Sequence, residues 1–237
     1  MRATEPLATV KGYLGANIRR GTQLADEEPL PAITITRQMG SRALSIGKQL
    51  HERLQAKCLP TQSDWEIFEN DLIGRVLEQS DLPVSLAKYY TERSTTFLDD
   101  TIEDIVGLHP TAYTINDKCH QTIVRLCQKG HVIVVGRCGN LLTRNFPNVL
   151  HVRLVGSISI RTRHIMKCMQ MSLAQATKFV RKEDALRRKY AKENFNRSDV
   201  NNPLLYDLVI NTDDMPDNAV IDLIEQALAA KTFAAAE

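Results

Sequence analysis

The sequence predicts an α/β fold built on a doubly wound parallel sheet, and three observations carry that prediction. Short β-branched or wholly apolar runs recur along the chain, segments of helical apolar period separate them, and a glycine-containing turn joins the first run to the first helix. Strands alternating with helices build parallel sheets, because each crossover must return the chain to the same end of the sheet.

Each element follows from a local pattern. Residues 1–30 mix short apolar pieces with Gly12, Gly15, Gly21 and the acidic Asp26, Glu27 and Glu28, and read as an N-terminal extension to a domain covering 31–237. The first strand is Pro31 to Thr36, rich in β-branched residues. After the Gly40-Ser41 turn, Ile46, Leu50 and Leu54 recur every fourth residue among Lys48, Gln49, Glu52 and Arg53, the mark of an amphipathic helix. The region from Cys58 to Gly130 is mostly helical in period, with breaks expected at Asp81-Leu82-Pro83 and His109-Pro110, and its last helix, carrying Ile115, Cys119, Ile123 and Leu126, stops at Gly130. His131 to Gly136 is a nearly all-apolar strand buried on both faces. Val149 to Val155 and Tyr206 to Thr212 are further strands, and the last helix, from Asp217 to Lys231, places Val220, Ile221, Ile224 and Leu228 on one side.

Composition narrows the function classes. Apolar residues make up 43% and charged residues 24% of the 237, enough for a sizeable core. Thirty basic against 28 acidic residues leave a net charge of +2, so no whole-surface field for nucleic acid is implied and an anion site must be local. The basic residues crowd between Arg153 and Arg197, which marks that window for phosphate contacts. Five dispersed cysteines without a C-x-x-C pair indicate neither a disulfide framework nor a zinc site, and no apolar run reaches the length of a membrane span. The expectation is a cytoplasmic protein with no membrane partner; a homo-oligomer is left open.

Three segments can carry chemistry. A helix that begins after a glycine turn offers unpaired backbone N–H groups and the positive end of its dipole, so Arg37, Gly40, Ser41, Arg42, Ser45 and Lys48 are candidate phosphate-binding residues. The spacing is not G-x-x-x-x-G-K-[ST], and a Gly-Ser turn also serves as a simple cap. Arg137 follows a buried strand at the carboxyl end, where open α/β sheets bind ligands; a loop arginine can equally be held in a salt bridge. The segment from Ser172 to Phe195 opens with a capping box and gathers Arg181, Asp184 and Arg188 in a narrow arc opposite Ala176, Phe179, Leu186 and Tyr190. Such a face presents charge to a ligand or only to solvent. The six histidines form no H-E-x-x-H, and no serine lies in G-x-S-x-G.

Taken in order, Ile33 to Ser41, Val132 to Asn140, Pro147 to Val152 and Tyr206 to Thr212 resemble the motifs of the cytidylate kinase-like family of P-loop kinases, a likeness covering roughly residues 32–230. Between the last two motifs, Arg161 and the Glu183-Asp184, Arg187-Arg188 and Tyr190 group resemble that family's arginine-bearing lid helix. The resemblance implies a parallel sheet of about five strands, a helical acceptor lobe over 58–130, a lid over 157–200, and ATP and Mg²⁺ as cofactors. It implies transfer of the γ-phosphoryl group to a nucleoside monophosphate or another small acceptor, with a nucleotide or small phosphorylated molecule as partner. By the same resemblance Gly40 and Ser41 would hold donor phosphates, Arg137 the acceptor or transferred phosphate, and Arg161, Arg187 and Arg188 would arrive with the lid. Asp184 would orient one of those arginines, and Ser41 or Ser45 would offer a hydroxyl to Mg²⁺.

The chain also departs from the family pattern. Arg42 and Ala43 replace the last two residues of a Gly-Ser-Gly-Gly turn, no loop lysine is present, and Cys138 stands where cytidylate kinases carry aspartate. Three readings stay open at this point: an active kinase, a degenerate kinase fold that binds nucleotide or a phosphorylated ligand for regulation, and an interaction protein whose basic segment meets an acidic partner or nucleic acid.

Overall fold

The structure is a computed structural model and describes residues 30–59, 63–69, 112–136, 138–197 and 199–235. In chain order the elements are β1 (Ala32–Arg37), α1 (Ala43–Lys57), β2 (Glu66–Phe68), α2 (Ala112–Lys129), β3 (Val132–Val135), α3 (Gly139–Leu142), β4 (Val149–Val155), α4 (Ile158–Met169), α5 (Leu173–Phe195), β5 (Leu208–Asn211) and α6 (Asp217–Ala235). A 3₁₀ turn, Pro203–Leu205, leads into β5. The expected extension at 1–30, apart from Leu30, and most of the expected acceptor lobe lie outside the described residues.

The five strands form one sheet in the order β2-β3-β1-β4-β5, and every pairing is parallel. Strand β1 is flanked on both sides, pairing with β3 through Ala32–Ile35 and with β4 through Ala32–Arg37. The chain therefore winds outward in both directions from β1, and the crevice at the carboxyl ends of β1, β3 and β4 is where such sheets take ligands.

Period-two alternation divides the sheet's residues between two cores. Ile33, Ile35, Ile133, Val135, Leu150, Val152 and Leu154 face α1 and α6, which contribute Ile46, Leu50, Val220 and Ile224. Ala32, Val132, Val134 and Val149 face the other way, onto Ile123, Leu126 and Cys127 of α2. On this second face the same alternation places Thr34 and Thr36 of β1 beside His151 and Arg153 of β4. The layer thus changes from apolar at the amino ends of the strands to polar toward their carboxyl ends. All four polar residues are buried.

Four of the five strands match the runs legible in the sequence. The fifth, β2, lies in a stretch read as helical, because three residues at a sheet edge are too few to show a period. Strand β5 is also shorter than its apolar run: Tyr206 and Asp207 precede it, and the Asp207 carboxylate accepts the His151 N–H at 2.7 Å instead. Helix α2 ends at Lys129, and Gly130 follows at φ 83°. A side chain at Gly130 would collide with the Leu30 carbonyl, so both the dihedral and the space demand glycine.

Two outcomes test this packing. Gly130→Ala should lower the unfolding free energy by about 2 kcal/mol or more, read from urea denaturation. His151, hydrogen-bonded to Thr34 Oγ1 at 2.8 Å, is pushed down to about 4 by burial, partly offset by Asp207. The unfolded chain takes up that proton below about 6.5 and the folded one does not, so stability should be full above that pH and decline from there toward pH 4. A His151→Asn variant should show a flatter decline in the same denaturation series.

Candidate active site

The turn after β1 is built on two left-handed residues, Gly40 at φ 86° and Arg42 at φ 61°. Between them Ser41 is buried, and both its hydroxyl and its N–H donate to the Gln38 carbonyl, at 2.9 and 3.3 Å. Helix α1 starts immediately after Arg42 with no side-chain cap, so its first N–H groups are left for an external acceptor. A Cβ on Gly40 would lie 2.5 Å from the Arg161 carbonyl oxygen, so glycine is what lets α4 approach the turn.

Arg42 reaches to the carboxyl end of β5 and the start of α6. Its Nη2 donates to the carbonyls of Thr212 at 2.7 Å and Met215 at 2.6 Å, and its Nε lies 3.3 Å from the Asp217 carboxylate. A left-handed conformation costs an L-residue about 1–2 kcal/mol, and this set of bonds holds it. Ser45 donates to the same Asp217 at 3.0 Å, and Lys48, largely exposed, lies 3.9 Å from Glu69. Arg42, Ser45 and Lys48 therefore stand apart from the cleft described below.

Helices α4 and α5 bring the second group of candidates. Ser172 and Gln175 form the expected capping box at the start of α5, while Ala176, Val180, Glu183, Tyr190 and Ala191 are its buried positions. Phe179 and Leu186 are half-buried, and Arg181 and Arg188 are exposed, as the helical period anticipates. The Tyr190 hydroxyl hydrogen-bonds His120 of α2 at 2.9 Å.

Asp184 is the junction between these helices and the turn. Its Oδ1 accepts the Met39 N–H at 2.7 Å, and its Oδ2 accepts from Arg161 Nη1 at 2.7 Å. Arg161 is itself buried, and donates through Nη1 to the Met39 carbonyl at 2.9 Å and through Nε to the Gly156 carbonyl at 2.8 Å. Arg187 lies 3.9 Å from Asp184 and 3.7 Å from the Met39 sulfur. Arg161 therefore acts as a strut under the turn.

Above this junction opens a cleft of about 650 Å³, counting its mouth. Arg37 and Gln38 from the end of β1, Gly136 and Cys138 after β3, Arg153 from β4, and Asp184, Arg187 and Arg188 from α5 all line it. Of the residues anticipated from sequence, the cleft gathers Arg37, Asp184, Arg187 and Arg188. Gly40 and Ser41 belong to the adjoining turn, and Arg137 lies outside the described residues. Sequence reasoning marked Arg153 only as the edge of the basic window and did not place it in the site, nor did it single out its neighbours Asn201 and Tyr206. The available signal was an arginine at an alternate position inside an otherwise apolar strand.

A nucleotide's phosphates fit this wall of guanidinium groups, which bind oxyanions bidentately. Magnesium finds less: the described residues contain no group of three or more histidine, cysteine or acidic side chains, and the Ser41 and Ser45 hydroxyls are directed to Gln38 and Asp217.

Breaking the Asp184 junction should cost stability. Asp184→Ala leaves Arg161 buried without its carboxylate and should lower the unfolding free energy by about 3 kcal/mol. Arg181→Ala, on the exposed face of the same helix, should change it by about 0.5 kcal/mol at most in the same urea titration.

Comparison with known proteins agrees with this architecture. The chain is similar to a crystal structure of an uncharacterized protein from Eubacterium ventriosum, with a TM-score of 0.61 at 17% identity over 84% of this chain and 99% of that one. It also matches a shikimate kinase from Bacteroides thetaiotaomicron, at a TM-score of 0.45 and 12% identity over 84% of this chain and 95% of that one. No curated protein matches the chain. The sequence profile of the cytidylate kinase-like family matches residues 32–214, spanning β1, the turn, the Arg153 strand, α4, α5 and β5. With its parallel sheet and glycine turn in the expected order, the chain belongs to the cytidylate kinase-like family.

Proposed function

We propose that the protein is an ATP-dependent phosphotransferase acting on a nucleoside monophosphate or another small acceptor. One observation carries the reading: Arg37, Arg153, Arg187 and Arg188 converge on a single cleft beside a glycine turn and an uncapped helix start. A phosphoryl group in flight carries its charge on three equatorial oxygens, and catalysis consists of aligning the partners, neutralising that charge and excluding water.

In this reading the Gly40–Ser41 backbone and the amino end of α1 receive the donor phosphates. An oxygen of the acceptor forms the new bond to the γ-phosphorus as the bond to the β–γ bridging oxygen breaks, releasing ADP. Arg187 and Arg188 neutralise the transferring group from above, and Arg37 from the strand end. Arg137, adjacent in sequence to Gly136, takes the acceptor or transferred phosphate. Asp184 positions Arg161 and the turn. Magnesium would arrive on the triphosphate, and no step is assigned to a protein-held ion.

A second reading, a nucleotide-binding regulator without transfer, is favoured by Arg42. It occupies a glycine position of the family's turn, no loop lysine accompanies it, and its guanidinium is bonded to two carbonyls.

A coupled assay of ATP turnover across a panel of nucleoside monophosphates separates the two. With an active acceptor, Arg188→Ala should lower kcat/KM by about 100-fold or more with the melting temperature unchanged, since the side chain is exposed. No turnover with any acceptor, together with nucleotide-dependent thermal stabilisation, would replace the kinase with the regulator.

A further inference from the structure

Arg153 sits in the middle of β4, between Thr36 of β1 and Val209 of β5 in register, with only 6% of its surface exposed. Its Nη2 donates to Asn201 Oδ1 at 2.6 Å and its Nη1 to the Tyr206 hydroxyl at 3.2 Å, and its guanidinium carbon lies 5.3 Å from the centre of the Tyr206 ring. Tyr206 is fixed in turn by donating its hydroxyl to the Val200 carbonyl at 2.8 Å. Both partners of Arg153 are neutral. The Asp207 carboxylate next door is engaged by the His151 N–H and by Lys231. Among the described residues Arg153 Nε is buried with no hydrogen-bond partner, and no carboxylate pairs with this guanidinium.

An arginine stays charged at any relevant pH, and a buried cation without a counter-charge is strongly unfavourable. Arg153 nonetheless lines the cleft, with Nε–H and further N–H donors left over. Tyr206 and Asn201 hold the guanidinium plane in place, as a preorganised anion receptor requires.

We propose that Arg153, steadied by Tyr206 and Asn201, is the floor receptor for an oxyanion of the acceptor substrate, so that the acceptor carries a phosphate or carboxylate group reaching the sheet itself. The assignment rests on the phosphotransferase reading for the word acceptor, but the anion site stands on Arg153 alone. It narrows the substrate to small anionic molecules and excludes neutral acceptors such as free sugars or nucleosides.

The test uses the full chain with inorganic phosphate and, in a parallel arm, malonate, at constant ionic strength. Phosphate should raise the melting temperature of the wild type and shift the Arg153 Nε–Hε resonance, identified by its loss in Arg153→Lys. In Arg153→Met the phosphate dissociation constant should rise by about tenfold or more, while the ligand-free melting temperature stays level or rises because an uncompensated buried charge is gone. Should Arg153→Met not fold, Arg153→Lys, which keeps the charge and loses the planar fork, should still weaken phosphate binding several-fold. A larger response to malonate than to phosphate identifies the group as a carboxylate, and the reverse as a phosphate. Full phosphate affinity in both variants, an unmoved Nε–Hε resonance, or a lower ligand-free melting temperature with binding intact would each overturn the proposal. A protein that transfers no phosphate yet binds it through Arg153 would sink the kinase reading and leave this one standing.

Discussion

The carboxylate of Asp184 is the constraint on which the site depends. It takes one backbone N–H from the turn and one guanidinium N–H from Arg161, whose remaining donors hold the Met39 and Gly156 carbonyls. Because both oxygens are used and both partners are largely buried, α5 has little freedom to slide along the turn. Arg187 and Arg188 follow three and four residues later, on the same side of the helix, which brings them over the cleft. The acid and the two cations therefore act as one spaced unit, and the position of the cations is set by the position of the acid.

Beneath that unit lies a sheet whose second face changes character along its length. At the amino ends of the strands it is sealed against α2 by Ala32, Val132 and Val149. Two residues further on it carries Thr34 and His151, and two further again Thr36 and Arg153. A polar layer inside a sheet is costly unless each group finds a partner, and here most of them do, through the Thr34–His151 bond and the Arg153–Asn201 bond. The cleft is thus the place where the core stops being a core. Its arginines come from opposite sides, with Arg37 and Arg153 rising from the strands and Arg187 and Arg188 descending from the helix.

Much of this was legible in the sequence because long periods leave clear marks. The spacing of Ile46, Leu50 and Leu54 gave away α1, and Ser172 with Gln175 fixed the start of α5 to the residue. Gly40 and the Asp184–Arg188 segment could be located for the same reason: they sit at fixed offsets from elements that could be placed. Short or long-range features left no such mark. Strand β2 is three residues long and borrows its register from β3. The direction of Arg42 depends on Thr212 and Met215, more than 160 positions away, so nothing local distinguished a phosphate-facing arginine from one turned to β5 and α6. Arg153 was hidden by its setting, since a strand reads as apolar even when alternate positions hold His151 and Arg153.

The bonds made by Arg42 bear on where the functional unit ends. The family likeness closes at residue 214, yet the Met215 carbonyl and the Asp217 carboxylate that hold the turn lie just beyond it. Val220, Ile221, Ile224 and Leu228 of the last helix complete the core beneath α1. A fragment trimmed to the recognisable sequence would keep the visible signature and lose both the clasp on its glycine turn and one wall of its interior. The smallest piece able to work as this protein is therefore larger than the piece that can be recognised as it.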